Sequence, residues 1–329
     1  MSKNKKWLSS VALLLTVVLS GCNTEENSSG DAKAKDQKFT IGISQYVEHP
    51  SLDEATKGFK KAIKDAGLNV KYDEQNAQND QNNSQTIATN LVGEKVDLIF
   101  ANATPSALSV ANATKDIPII FTSVTDPIGA KLVENMDEPE GNITGTTDSH
   151  PDAIAKTTKL ITGQMGIKKV GTIYNSGEQN SEVQVKALEK ELDKQGAKLK
   201  KVSVATSSEV KQAAESLVGK VDGLVIVTDN TVVSALESVI QVAEKEDLPL
   251  FVGELDSVKR GGFAAYGFNY YDIGYQAGEQ AVKILKEGKK IKELPVEPPK
   301  DLKLLINKKA AKEMNVDLKK ISEKAEFTE

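Results

Sequence analysis

Two stretches decide the fold. Leu91–Val92–Gly93–Glu94–Lys95–Val96–Asp97, continuing into Leu98–Ile99–Phe100–Ala101, is matched by Leu217–Val218–Gly219–Lys220–Val221–Asp222, continuing into Gly223–Leu224–Val225–Ile226–Val227. Each reads as a helix end, a glycine stop, a short polar step and a continuous apolar strand. A second pair, Asp116–Ile117–Pro118 and Asp247–Leu248–Pro249, recurs at nearly the same spacing. Short identities at offsets of 125 to 131 residues mark a duplicated unit.

Working outward, the first copy predicts strands at Phe39–Ser44, Val70–Tyr72, Val96–Ala101 and Ile117–Thr122. Helices fall between them at Leu52–Ala66, Ser84–Val92 and Ser106–Thr114. The second copy predicts strands at Val170–Tyr174, Leu199–Val204, Leu224–Val227 and Leu248–Val252, with helices at Glu182–Gln195, Glu209–Val218 and Thr231–Glu244. Repeated βα units with near-continuous apolar strands require parallel sheets covered on both faces, so the fold class is α/β with two Rossmann-like lobes. One further unit, a strand at Phe263–Gly267 and a helix at Asp272–Leu285 stopped by Gly288, follows the second copy. Several chain crossings, near residues 146–149, 266–269 and 295–300, then form a hinge. The expected lobes are 38–147 plus 268–296, and 148–267 plus 297–329.

The chain has 329 residues, 27% of them charged, a formal net charge of −5 and one cysteine. No intramolecular disulfide can form, and two histidines without a second thiol leave no structural zinc set, so no metal is expected. Lys3, Lys5 and Lys6 precede an apolar run from Trp7 to Leu19, too short to span a ~30 Å hydrocarbon core. Residues 1–21 therefore read as a signal peptide. Asn23–Gln37 is polar and aperiodic, and with Cys22 it makes a flexible tether, 22–37, holding the body on the order of 20 Å from its anchor. Loss of three lysines with the signal leaves a charge of −8, and no basic footprint for nucleic acid.

Open parallel sheets bind ligands beyond the carboxyl ends of their strands. That rule selects Ser44, Gln45 and Tyr46, then Thr104 and Ser106, then Ser123 and Asp126 in the first lobe. In the second it selects Tyr174, Asn175, Asp229, Asn230 and Glu254. Thr104 before Pro105 and Asp126 before Pro127 read as helix N-caps, and the free amides near Ser106 suit a carboxylate. Arg260 is the only arginine and reads as a surface residue. A cleft rich in acids and poor in arginine prefers a ligand carrying an ammonium group, with any carboxylate met by amides. Tyr46 and Tyr174, each following the first strand of a lobe, are placed to sandwich a flat group. G-x-S-x-G, Walker A and G-x-G-x-x-G are absent, and His49 and His150 each precede proline as turn residues, so no catalysis and no cofactor are expected.

These segments carry a resemblance. Leu19–Ser20–Gly21–Cys22 resembles the lipobox of bacterial lipoproteins, in which the cysteine is acylated. Ser44–Gln45–Tyr46–Val47–Glu48–His49–Pro50, Ala103–Thr104–Pro105–Ser106–Ala107, Thr122–Ser123–Val124–Thr125–Asp126–Pro127, Thr228–Asp229–Asn230–Thr231 and Gly267–Phe268–Asn269–Tyr270–Tyr271–Asp272 resemble ABC-transporter substrate-binding proteins of the tryptophan/tyrosine type, with the periplasmic-binding-protein type I fold. The resemblance implies a monomeric lipoprotein, held by Cys22 at the outer face of the bacterial cytoplasmic membrane. It would capture an aromatic amino acid, tryptophan first and then phenylalanine or tyrosine, and hand it to permease subunits. A sensor that presents its ligand to a membrane receptor is the alternative. Gly253–Glu254 stands where the family pattern has Gly-Asp, and a longer acid narrows the pocket.

Replacing Cys22 by serine should abolish acylation and release the protein from membranes, because the short apolar segment cannot span. Normal processing of Cys22→Ser with continued sedimentation with membranes in high salt would refute the lipoprotein reading.

Overall fold

The computed structural model describes residues 38–329. The signal peptide, Cys22 and the tether lie outside the described residues. None of the described helices is long and apolar enough to cross a membrane.

The first sheet has five strands, all parallel, in the order β2-β1-β3-β4-β5. They are β1 (Lys38–Gln45), β2 (Asn69–Asn76), β3 (Leu98–Asn102), β4 (Ile119–Val124) and β5 (Ile143–Thr147). Helices α1 (Pro50–Asp65), α2 (Gln81–Gly93) and α3 (Thr104–Ala113) connect them. The next helix is α4 (Ala153–Lys159), which runs into one π-helical turn (Leu160–Gln164). β6 (Lys169–Asn175), α5 (Gln179–Lys194), β7 (Lys198–Val204), α6 (Val210–Leu217), β8 (Gly223–Ile226), α7 (Asn230–Ser234), α8 (Leu236–Lys245), β9 (Leu250–Val252), α9 (Leu255–Arg260) and β10 (Ala264–Gly267) follow. α10 (Tyr270–Glu287), β11 (Lys303–Asn307), α11 (Lys308–Glu313) and β12 (Glu326–Thr328) complete the chain. The second sheet runs β12-β11-β10-β9-β8-β6-β7, with only β10 and β11 antiparallel.

α10 follows all the strands of the second duplicate yet packs on the first sheet, against α1. A Cβ at Gly274 would overlap the Ala55 carbonyl, and one at Gly58 would overlap the Tyr271 carbonyl. At Gly278 it would lie 2.6 Å from the Phe59 carbonyl oxygen. Three glycines thus let two helix backbones touch. Below them Phe59 stacks on Phe100, with ring centroids 3.9 Å apart.

Several elements differ from their sequence reading. β5 has no counterpart among the expected strands and overlaps the crossing expected near 146–149, since Thr144, Thr146 and Thr147 replace apolar residues in it. All three threonines are buried. Thr144 Oγ1 donates to Leu294 O (2.7 Å), and Thr146 Oγ1, shared with Thr122 Oγ1 (2.8 Å), donates to Ile273 O (3.0 Å). The helix expected over Thr231–Glu244 divides at Ala235 into α7 and α8. Asp126–Pro127 opens only a turn, whose Gly129 amide donates to Asp126 Oδ1 (2.8 Å). The N-cap position of α3 is Ala103, not Thr104, so the Thr104 hydroxyl caps nothing. Arg260 is half-buried, its side chain 16% exposed, and grips the exposed Glu237 through Nε and Nη2, each 2.8 Å from a carboxylate oxygen.

Gly274→Ala should cost about 2 kcal/mol or more, because backbone rather than a mobile side chain blocks the new methyl. Urea denaturation checks this. Gly196→Ala strains a φ of +68° but meets no neighbour within 4 Å, and should cost less.

Candidate functional site

The segments after β1 and β2 meet the starts of α9 and α7 across the space between the sheets, Ser51 against Glu254 and Asn79 against Thr231. On the first-sheet side, backbone geometry is unusual at two adjacent strand ends. Ala103 sits at φ +86° and Ser123 at φ +56°, in a region that residues other than glycine seldom adopt. Strain of this kind gathers at binding sites. It brings buried hydroxyls to the cleft that find no protein partner: Ser44 Oγ, Thr104 Oγ1, Ser106 Oγ and Ser123 Oγ, all on residues no more than 4% exposed. Most buried hydroxyls in proteins are hydrogen-bonded, so four in one region point to a ligand.

The second-sheet side is arranged differently, since its polar groups satisfy one another. Glu178, absent from the sequence-derived residues, accepts from Thr231 N (3.0 Å) and Thr231 Oγ1 (2.7 Å) on Oε1. On Oε2 it takes Asn230 N (3.2 Å), Asn230 Nδ2 (2.6 Å) and Asn180 Nδ2 (3.2 Å). Its charge occupies the amino end of α7. Asp229 accepts from Asn175 N (2.6 Å) and Val232 N (2.8 Å), capping α7 and pinning the β6 end. Both its oxygens already accept from backbone amides, one each. Burial and the nearby Glu178 charge push Asp229 well above the usual carboxylate range. Asn175 is likewise committed, to Thr231 Oγ1 (2.8 Å) and the Gly177 amide (2.8 Å).

Glu254 differs from its neighbours. Its Oε2 accepts from Ser51 Oγ (2.9 Å) and Ser257 Oγ (2.8 Å), while Oε1 takes no protein donor among the described residues. Burial raises this carboxyl to about 7, against the two serine hydrogen bonds that pull the other way. An acid so placed is stabilised by an arriving cation.

The remaining sequence-derived residues divide. Tyr46 is buried and its hydroxyl is raised by burial and by Glu178, Asp80 and Asp229, which sets it toward the second lobe's acids. Tyr174 instead leans to Glu182 and Lys201 on the outer side of its sheet, so the two rings do not form the expected sandwich. Gln45 is turned away too, with Nε2 on Asp53 Oδ1 (2.7 Å) and Oε1 accepting from Thr56 (2.7 Å). Asp126 serves its own turn. No cluster of His, Cys, Asp and Glu suited to a metal occurs among the described residues.

The hinge carries its own fastening. Asp148, on the first crossing, accepts from Thr125 Oγ1 (2.8 Å) and from the hydroxyl of Tyr270 (3.0 Å), at the end of the second crossing. Burial raises Asp148 to about 6. Beside it a cavity of about 360 Å³ opens between α4 and α5, walled by Ile154, Leu188, Val225, Val227 and Phe268. Its polar groups Thr125, Gln184 and Thr228 bond to one another, and none of the candidate residues lines it.

Residues 40–327 match the family of ABC transporter substrate-binding proteins. The tyrosine-binding protein of Clostridioides difficile (strain R20291) is 44% identical over 98% of this chain and 95% of its own length. An ABC domain in complex with L-Trp from Streptococcus pneumonia is 32% identical, covers 89% of this chain and 100% of its own, and superposes with a TM-score of 0.83. The ligand-free, open structure of a substrate-binding protein with adhesive properties from Clostridium difficile is 40% identical, covering 88% of this chain and 99% of its own, but superposes at 0.65.

The buried acids make stability depend on pH. Folded-state values of about 7 for Glu254 and about 6 for Asp148, above ordinary values of 4.5 and 3.8, mean that the folded chain holds protons the unfolded chain has released. Their stabilisation is full below about pH 4 and is lost as pH rises through 6 to 7. The ligand-free protein should melt higher at pH 5 than at pH 7.5. Glu254→Gln, neutral and nearly isosteric, should remove on the order of 2–3 kcal/mol of that decline, as followed by thermal melts across the range.

Proposed function

The chain belongs to the ABC transporter substrate-binding protein family, and we propose that its own substrate is an aromatic L-amino acid, held between the lobes and delivered to a membrane permease. The four unpartnered hydroxyls carry this reading. Neutral donors at Ser44, Thr104, Ser106 and Ser123, with the first amides of α3, suit the ligand carboxylate. Glu254 Oε1 suits its ammonium, and the buried Tyr46, in the field of Glu178 and Asp229, is the ring we assign to flank the aromatic side chain. A zwitterion so placed has one charged group on each lobe, and that favours closure.

The degree of closure supports the same reading. The open C. difficile structure is nearer in sequence than the L-Trp complex, 40% against 32%, yet superposes less well, 0.65 against 0.83. Sequence distance cannot produce that order, whereas lobe angle can, so the lobes here stand as in the liganded relative. Tyrosine and tryptophan are the first two candidates, since one relative is a tyrosine-binding protein and another holds L-Trp. The lipid anchor at Cys22, the place at the outer face of the cytoplasmic membrane and a monomeric state complete the proposal.

Calorimetric titration and thermal shift with L-tyrosine, L-tryptophan and L-phenylalanine test it. At least one should bind and raise the melting temperature by several degrees. Ser106→Ala and Ser44→Ala should each weaken that binding about five- to tenfold without lowering the melting temperature of the free protein, because no protein partner is lost. Stabilisation by a sugar or nucleoside, with no response to any aromatic amino acid, would overturn the ligand class and leave the fold untouched.

A further inference from the structure

Three contacts join the lobes on the side of the cleft remote from the hinge. Ser51 Oγ, at the start of α1, donates to Glu254 Oε2 (2.9 Å). Asn79, between β2 and α2, donates from Nδ2 to Thr231 Oγ1 (3.1 Å). His49, just before α1, is buried beside the Asn230 side chain and lies within the field of Arg260. All three first-lobe residues sit just after β1 or β2, His49 and Asn79 on loops and Ser51 in the first turn of α1, and these strands are the farthest in their sheet from the hinge strand β5. Contacts at the end of the longest lever are the first to break when the lobes part.

None of these residues is needed as a ligand group. Ser51 is 1% exposed and its hydroxyl is already spent on the oxygen of Glu254 that the ligand does not use. Asn79 meets a hydroxyl that also belongs to the Glu178 network. His49 is 5% exposed, with Nδ1 unpartnered. Arg260, whose Nη1 is also unpartnered, faces it from α9, Asp53 from its own helix, Glu178 and Asn230 from the second lobe. An imidazolium there would be buried and set near a guanidinium, so the closed arrangement takes the neutral ring.

We propose that His49, Ser51 and Asn79 form an interlobe latch of positioning residues that sets how long the ligand stays, and that acid weakens it. The inference rests on the substrate reading above for its closing step. Breaking the latch should speed release more than it slows capture, since association needs only the open cleft. Acid acts through His49. Its value is held near 4 when buried, against 6.5 in water, so opening the lobes takes up a proton at any pH between these values. Closure is therefore fully supported above about 6.5 and is lost as pH falls toward 4. Glu254 titrates in the opposite sense, and comparison with a His49 variant cancels it.

The test is stopped-flow binding of L-tyrosine and L-tryptophan to wild type, Ser51→Ala, Ser51→Thr and His49→Gln. In Ser51→Ala the dissociation rate should rise about tenfold while the association rate changes less than twofold. Ser51→Thr, which keeps the hydroxyl, should restore most of the lifetime. Wild type should lose about tenfold more affinity than His49→Gln between pH 7.5 and 5.5. Equal dissociation rates in wild type and Ser51→Ala, or identical pH profiles in wild type and His49→Gln, overturn the latch. If wild type binds no aromatic amino acid, the substrate reading fails separately. Small-angle scattering of the ligand-free chain then decides the latch: a larger radius of gyration in Ser51→Ala than in wild type supports it, and no difference overturns it.

Discussion

The contact between α1 and α10 governs everything else in the molecule. α10 is made after ten strands have been laid down, yet its glycines press it onto a helix that begins at Pro50. A chain that returns in this way cannot keep its lobes as beads on a string. It must cross between them at 147–150, again at 267–269, and again where Glu297 lies beside Thr146 in a parallel bridge. Several parallel crossings restrict the lobes to opening and closing, with Asp148 tying two crossings together through Thr125 and Tyr270. The hydroxyls of β5, turned into α10 and the third crossing, make the hinge edge rigid enough to carry that motion.

Such a hinge sets strand ends against strand ends, but it does not make the two faces alike. In the second lobe Glu178 and Asp229 spend every oxygen on the amino end of α7 and the loops around it. A helix end already neutralised by a carboxylate has little left for a ligand's carboxylate. The first lobe has the reverse character: α3 starts from a strained Ala103, no side chain caps it, and hydroxyls with no partner surround it. The polarity of the proposed complex follows, with the carboxylate on the first lobe and the ammonium on Glu254 of the second.

Much of the architecture was legible because buried parallel strands cannot hide: VDLIFA and its partner GLVIV admit few other readings. β5 escaped because hydrogen-bonded threonines replaced its apolar residues, and β11 and β12 because they lie beyond a proline-rich crossing. At the cleft, the strand-end rule found the free hydroxyls and Glu254. It could not distinguish them from Asp229 or Asn175, which stand at equivalent strand ends but already bond to backbone amides and, for Asn175, to the Thr231 hydroxyl. Glu178 and Ser51 had no signal at all, because each acquires its role from residues more than 50 positions away.

The shortage of arginine now has a physical sense. Arg260, the only one, is held in a bidentate grip by Glu237, so no guanidinium is left for a ligand carboxylate. Neutral donors bind an anion with less desolvation cost than a buried ion pair, and they leave no stranded charge when the lobes open. Glu254 complements this from the other side. Its raised pKa lets it bury as a neutral acid, and an ammonium brought against Oε1 restores the charge only while ligand is present. In the proposed complex both features serve closing and release, because opening the lobes strands neither a guanidinium nor the Glu254 carboxylate.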